Sequence, residues 1–73
     1  KSGTAQIGSV VRLRSDNSEK TYRILGSQES DPTNGRISNE SPLGKSIIGK
    51  KIGETAYVKT KNGIREYVVI EIN

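Results

Sequence analysis

Alternating and helical spacings of apolar residues divide this chain of 73 residues into a few elements. In residues 7–14, IGSVVRLR, Val11 and Leu13 alternate with Arg12 and Arg14, the period of a half-buried strand. Residues 20–27 resume the alternation, with Tyr22 and Ile24 on one face and Thr21, Arg23 and Leu25 on the other. Asp16-Asn17-Ser18 between them is a turn cluster, so the two runs predict an antiparallel hairpin. Later in the chain, residues 55–60 set Ala56 and Val58 against Tyr57 and Lys59. Residues 64–72 place Val68, Ile70 and Ile72 on one side and Tyr67 and Val69 on the other. Apolar residues on both faces read as a central strand covered on both sides. Asn62-Gly63 joins these two runs, and a type I′ turn is expected there because it needs φ > 0 twice.

Only residues 37–53, ISNESPLGKSIIGKKIG, carry a clear helical pattern. Leu43, Ile47 and Ile48 share one face. Ser41 suits the N-cap, and Pro42 suits N1, where its missing N–H costs nothing. Gly49 falls where a left-handed C′ residue is wanted, with Lys50 and Lys51 beside the carbonyl end. These signals predict a helix of about two turns. Gly44 inside it costs about 1 kcal/mol against Ala, which implies that something approaches the helix backbone closely, most simply a neighbouring strand. Before it lies an irregular segment, QESDPTNG, with two turn signals. Asp31-Pro32 suits a type I turn in which the Asp side chain bonds backbone N–H groups, and Asn34-Gly35 suits a positive φ. Arg36-Ile37-Ser38 is a short extended piece. The order is β-β-loop-α-β-β, an α+β domain with a small antiparallel sheet wrapped on one short helix. Residues 1–6 lack periodicity and read as a linker remnant, leaving residues 7–73 as the single domain.

Composition narrows the chemistry. Hydrophobic residues make up 30% of the chain and Phe, Trp and Met are absent, so Ile, Val, Leu and Tyr must build the core, and a deep enclosed pocket is not expected. Cys is absent, which removes disulfides and thiolate metal sites. His is absent too, which removes the commonest general base and zinc ligand. A Ser triad cannot be built. Ser41 or Ser46 with Lys45 or Lys50 could form a Ser–Lys pair, although a helix cap beside solvated lysines is the simpler reading. Glu29, Asp31 and Glu40 could bind a divalent cation weakly, but turn chemistry accounts for them as well. No GxxxxGK[ST] follows a strand. No apolar run approaches membrane-spanning length and no signal peptide is visible, so a cytoplasmic protein is expected. The net charge of +4 serves solubility or an acidic partner. Three scattered Tyr and strand-borne Arg make a poor stacking platform, which lowers direct RNA binding. What remains is an interaction surface on the 31–35 loop and the Ser41-Pro42 helix entry, with Lys45, Lys50 and Lys51 adding positive charge.

Here the residues resemble a known family. Ser38-x-x-Ser41-Pro42-Leu43-Gly44-x-Ser46-Ile47-Ile48, followed after four residues by Gly53-Glu54, is similar to the C-terminal signature of the bacterial Gre transcript-cleavage factors. The preceding Asp31-Pro32-x-x-Gly35-x-Ile37-Ser38 resembles the same family, closer to its GreA branch than to GreB, and the likeness spans residues 7–72. Ser46 departs mildly, since relatives often carry Ala. The resemblance implies an FKBP-like fold, a bent antiparallel sheet cupping a short helix. It implies a non-catalytic domain that docks on the largest subunit of RNA polymerase near the secondary channel. Asp31, Pro32, Ser41 and Pro42 match the segments associated with that contact, and Lys45 sits where a partner could reach it. Transcript cleavage would be stimulated by a separate N-terminal coiled coil with an acidic tip, which this chain lacks. Nucleic-acid contact would then be indirect or made by that half. The domain is expected to be a monomer, without cofactor, metal or membrane contact. Alternatives stay open: the docking domain of a Gre-related polymerase inhibitor or nucleotide-metabolism regulator, or an FKBP-like isomerase or chaperone domain. Three Tyr without Phe or Trp would line an isomerase pocket poorly, so likeness of fold alone does not carry that activity.

Overall fold

In the computed structural model, which describes residues 3–26 and 30–73, the elements follow the expected order. They are β1 (Val10–Ser15), β2 (Ser18–Leu25), β3 (Arg36–Ser38), α1 (Pro42–Ile47), β4 (Thr55–Thr60) and β5 (Gly63–Ile72), with a 3₁₀ turn at Pro32–Asn34. The first strand starts later than residue 7, because Gln6 to Ser9 close a turn in which the Ser9 N–H donates to the Gln6 carbonyl at 2.9 Å. One sheet runs β3-β2-β1-β5-β4. It departs from the expected all-antiparallel sheet at one edge, where β3 lies parallel to β2. A tight hairpin would have forced an antiparallel return. Residues 26–35 separate β2 from β3 in sequence, in place of a tight turn.

The two hairpins exchange the turn types their sequences predict. β1 and β2 pair in unbroken register to Ser15 opposite Ser18, leaving Asp16 and Asn17 at φ 53° and 67°. Two positive φ values mark a primed turn, whose twist matches that of the strands, and Asp and Asn tolerate this conformation. Between β4 and β5 the type I′ turn expected at Asn62-Gly63 is not made. Thr60 pairs with Gly63, so Lys61 and Asn62 are the central residues, and the positive φ (119°) falls on Gly63 alone. The Thr60 hydroxyl explains the alternative: it accepts the Asn62 N–H at 3.3 Å and donates to the Gly63 carbonyl at 2.8 Å.

A bulge corrects the reading of β5. Val11 faces Ile72 and Arg12 faces Glu71, but Leu13 faces Val69, so Ile70 is an extra residue. It flips the alternation, and Ile72 joins Tyr67 and Val69 on the core face instead of opposing them. Val68 and Ile70 are only half-buried, so β5 is an interior strand covered on one face, not two.

The core gathers Val11, Leu13, Ile24, Ile37, Ala56 and Val69 from the strands and Ile47 from α1, all fully or nearly fully buried. It also takes Ala5, at 0% exposure. The segment read as linker is therefore part of the fold from Thr4 onward. Thr4 bridges to Lys51, the Ala5 N–H donates to the Lys50 carbonyl at 2.9 Å, and the Gly49 N–H donates to the Ala5 carbonyl at 2.8 Å. Gly49 takes the expected left-handed conformation (φ 84°) after the helix. Its N–H is spent on this N-terminal segment, not on a helical carbonyl.

Candidate docking site

The 31–35 loop is closed by backbone bonds at its base. The Asp31 N–H donates to the Arg36 carbonyl at 2.8 Å, and the Arg36 N–H donates to the Asp31 carbonyl at 3.0 Å. Inside, the Asn34 N–H reaches the Asp31 carbonyl at 2.9 Å and the Gly35 N–H reaches that of Pro32 at 3.0 Å. Pro32 suits the first helical position of this turn, where no N–H is needed. Gly35 closes it at φ 77° and lies on β2: its carbonyl accepts the Arg23 N–H at 2.7 Å, and a Cβ there would lie 2.9 Å from the Thr21 carbonyl oxygen. The expected turn is thus present, with one difference. The Asp31 carboxylate makes no cap bond to backbone and accepts the Asn34 side-chain amide at 2.6 Å instead. Pro32, Thr33 and Asn34 project to solvent.

The helix entry lies at the other end of β3. The Ser41 side chain accepts the Gly44 N–H at 3.1 Å, the expected N-cap, and donates to the Ser38 carbonyl at 2.7 Å. Ser38 is the hub. It is 3% exposed, its carbonyl also accepts the Ser41 N–H at 3.1 Å, and its hydroxyl accepts the Glu40 N–H at 3.0 Å. A Cβ on Gly44 would overlap the Ser38 carbonyl oxygen, so the close approach implied by that glycine is made by β3 itself. Sequence reasoning placed Ser38 in a motif without a role. Its spacing of three residues before Ser41 is the signal, since both serines end short polar turns.

Three residues thus join the loop to the helix entry. Ser30, Ser38, Glu40 and Ser41 line an open cleft of about 220 Å³. Pro32 and Pro42 are exposed, Asp31 and Ser41 half-buried. Lys45 does not line this cleft. It is exposed in the last turn of α1, with its N–H on the Ser41 carbonyl at 2.8 Å.

Of the groups the sequence offers for catalysis, the serines are engaged by backbone. The Ser41 and Ser46 hydroxyls both donate to backbone carbonyls, Ser46 to Leu43 at 2.7 Å, so neither is aimed at a lysine. Of the acidic trio, Glu29 falls outside the described residues, and among the described residues no metal-holding group of three or more His, Cys, Asp or Glu assembles. Tyr22 and Tyr67 do share an inner-face cleft of about 230 Å³ with Leu13 at the end away from α1. Their rings are occupied by cations, however: Lys20 Nζ lies 5.5 Å from the Tyr22 centroid and the Arg65 guanidinium carbon 5.9 Å from that of Tyr67. Burial first, and the neighbouring Tyr67 second, raise the Tyr22 hydroxyl above its ordinary pKa of 10.0, while Arg65 opposes them. This is a charged cleft, unlike the apolar one a proline ring would need. No helix is long and apolar enough to cross a membrane among the described residues.

Comparison with known proteins places the whole chain. The family model for "Transcription elongation factor, GreA/GreB, C-term" matches residues 1–73. The chain is 42% identical over 69 residues to the transcription elongation factor GreA of Clostridium botulinum, covering 92% of this chain and 43% of that protein. It is 40% identical over 72 residues to GreA of Chloroflexus aggregans, covering 96% of this chain and 46% of that one. It therefore spans less than half the length of these relatives. Among solved structures, GreA factor homolog 1 of Thermus thermophilus superposes with a TM-score of 0.79 at 28% identity, over 96% of this chain and 48% of that one. A GreA/GreB factor from Nitrosomonas europaea, at 18% identity and a TM-score of 0.78, shares the fold over all of this chain and 62% of its own. The α+β architecture agrees with these comparisons, and the chain belongs to the GreA/GreB family of transcription elongation factors as its C-terminal domain.

Proposed function

We propose that this domain is a non-catalytic module that docks a bacterial transcription elongation factor on RNA polymerase, through Asp31, Pro32, Ser41, Pro42 and Lys45. The carrying observation is the match of the family's C-terminal model to the whole chain, with relatives named transcription elongation factor GreA. The geometry supports the choice of surface. Two prolines stand exposed on a loop and a helix entry that are both locked to β3, and rigid polar loops on a packed scaffold are favoured for recognition. Lys45 extends the surface along α1. The contact lies on the largest polymerase subunit near the secondary channel, as the family resemblance implies, and the factor works in the cytoplasm as a monomer. Cleavage of backtracked RNA would be stimulated by an N-terminal coiled coil in the full-length factor, while this half supplies affinity.

The test is competition for polymerase by the full-length factor. Asp31→Ala and Pro42→Ala should each weaken binding about tenfold, a loss of about 1.4 kcal/mol, with the domain still folded. Unchanged competition by both variants sinks the assignment. The superposition on a protein named GreA factor homolog 1 favours one second reading, a docking domain of a Gre relative with a different output. Acidic residues at the tip of the full-length protein's N-terminal half distinguish the two.

A further inference from the structure

Arg23 and Arg36 are opposite each other in the register of β2 and β3, so their side chains stand side by side on the outer face of the sheet. Like charges in this position repel. The other arginines are handled differently. Arg12 pairs with Glu71 at 3.5 Å, Arg14 with Glu19 at 2.9 Å and Arg65 with Asp16 at 3.2 Å. Among the described residues no ion pair involves Arg23 or Arg36, although a carboxylate stands nearby. Asp31 is bonded by backbone to Arg36, yet its carboxylate turns to Asn34.

The stems of both arginines spring from fixed backbone. The Arg36 N–H and carbonyl are both tied to Asp31, and the Arg23 N–H is tied to Gly35. Both side chains are exposed and border an open cleft of about 260 Å³ that also meets Thr21 and Asn34, and among the described residues no carboxylate lines it. This cleft includes Asn34 and Gly35 of the 31–35 loop, and the cleft of Ser30, Ser38 and Ser41 includes the residue just before it. A like-charged pair beside the 31–35 loop makes no ion pair within the fold among the described residues, and it suits an external anion. Two planar guanidinium forks match carboxylates in bidentate geometry.

Resting on the docking reading above, we infer that Arg23 and Arg36 form an acidic-residue receptor that extends the polymerase contact around the outer edge of β3. The occupant is one or more carboxylate side chains on the protein surface that the 31–35 loop meets. A nucleic-acid strand fits less well. Its backbone needs a continuous basic track, and the same outer face is interrupted by Glu19, Glu66 and Glu71.

The experiment uses the full-length factor and RNA polymerase, with binding followed by competition across a salt series. Arg23→Gln with Arg36→Gln should lower affinity about tenfold at low salt and flatten its salt dependence, and the paired Glu substitutions should lower it further. The Gln variant should melt no lower than the parent, since the repulsion is relieved. Loss of binding without loss of stability is a signature that a structural role would not give. Control variants Asp31→Ala and Pro42→Ala separate the two ideas. If they weaken binding while the Gln pair does not, the receptor is overturned and the docking reading stands. If none of the variants binds differently, the docking reading itself fails. If the Gln pair instead loses affinity for single-stranded RNA and keeps its affinity for polymerase, the occupant is a nucleic acid and the inference is overturned.

Discussion

At the helix end of the domain, Ser38, Ser41 and Gly44 are locked together by hydrogen bonds of 2.7–3.1 Å and by a backbone approach that leaves no room for a Cβ. At the opposite end, where both hairpins turn, Arg65 reaches Asp16 and Ser15 at 3.2 and 3.1 Å in full view of solvent, and Ile64 is 69% exposed. The first region is held by part-buried polar groups around the buried Ser38, where a lost partner costs about 1–3 kcal/mol. The second is held by exposed ion pairs worth about 0–1 kcal/mol. Rigidity is therefore concentrated where the candidate docking residues lie, and the hairpin tips are left to tolerate change.

The sharpest way to break this contrast is a glycine on each side of it. Gly44→Ala places a methyl group against the Ser38 carbonyl oxygen, and neither backbone can retreat without breaking the cap. It should cost about 3 kcal/mol or more by urea denaturation, enough to threaten a domain with about 5 kcal/mol in total. Gly63→Ala, at φ 119° with nothing within 4 Å of an added Cβ, should cost only about 1–2 kcal/mol of backbone strain. Equal losses would refute the contrast.

Next in size is a pair of isoleucines. Ile47, 0% exposed on the core face of α1, should lose about 2–5 kcal/mol on truncation to Ala. Ile64 on the outer tip should lose less than about 0.5 kcal/mol. A smaller effect follows at the cap. Ser41→Ala removes the acceptor of the Gly44 N–H and should cost about 1 kcal/mol, while Ser41→Asp should retain most of it. Thermal unfolding of the three proteins measures both, and an Ala variant as stable as the parent would show that the cap is dispensable.

Much of this architecture was legible because local chemistry and tertiary packing agree. Ser41 and Pro42 start the helix, Gly49 ends it, and the alternation of Val11 and Leu13 marks β1, all as their residue types demand. The failures have physical causes. Asn62-Gly63 carries strong type I′ chemistry, but the Thr60 hydroxyl offers the chain a competing set of hydrogen bonds. Asp16-Asn17 became the primed turn because the register of β1 and β2 leaves only two residues to close it. The bulge at Ile70 leaves no mark in an unbroken apolar run, since period-2 counting cannot sense an inserted residue. Ala5 looked like linker because a single small residue has no periodicity. At the candidate site, turn and cap chemistry singled out Asp31 and Ser41. The Arg23–Arg36 apposition was not, because it exists only once β3 is known to lie parallel beside β2.

The smallest effect reads out the hairpin end through protonation. Tyr22 is part-buried on the inner face, and burial, with Tyr67 second, disfavours its phenolate, raising its pKa above 10.0 in the folded state. In the unfolded chain the hydroxyl ionises near its ordinary value, so as pH rises past about 10 the unfolded state gives up its proton first. The stabilisation from Tyr22 is therefore fully present below that pH and is lost as pH climbs from there toward the folded-state pKa. Tyr22→Phe keeps the ring and its packing but removes the proton. Near neutral pH it should change stability by less than about 1 kcal/mol. Between about pH 9 and 11 the parent should lose melting temperature more steeply than the variant, with the difference opening only above about 10. Parallel curves for the two proteins would show that the hairpin end responds to alkali through some other group, and that burial at Tyr22 does not reach the ionising hydroxyl.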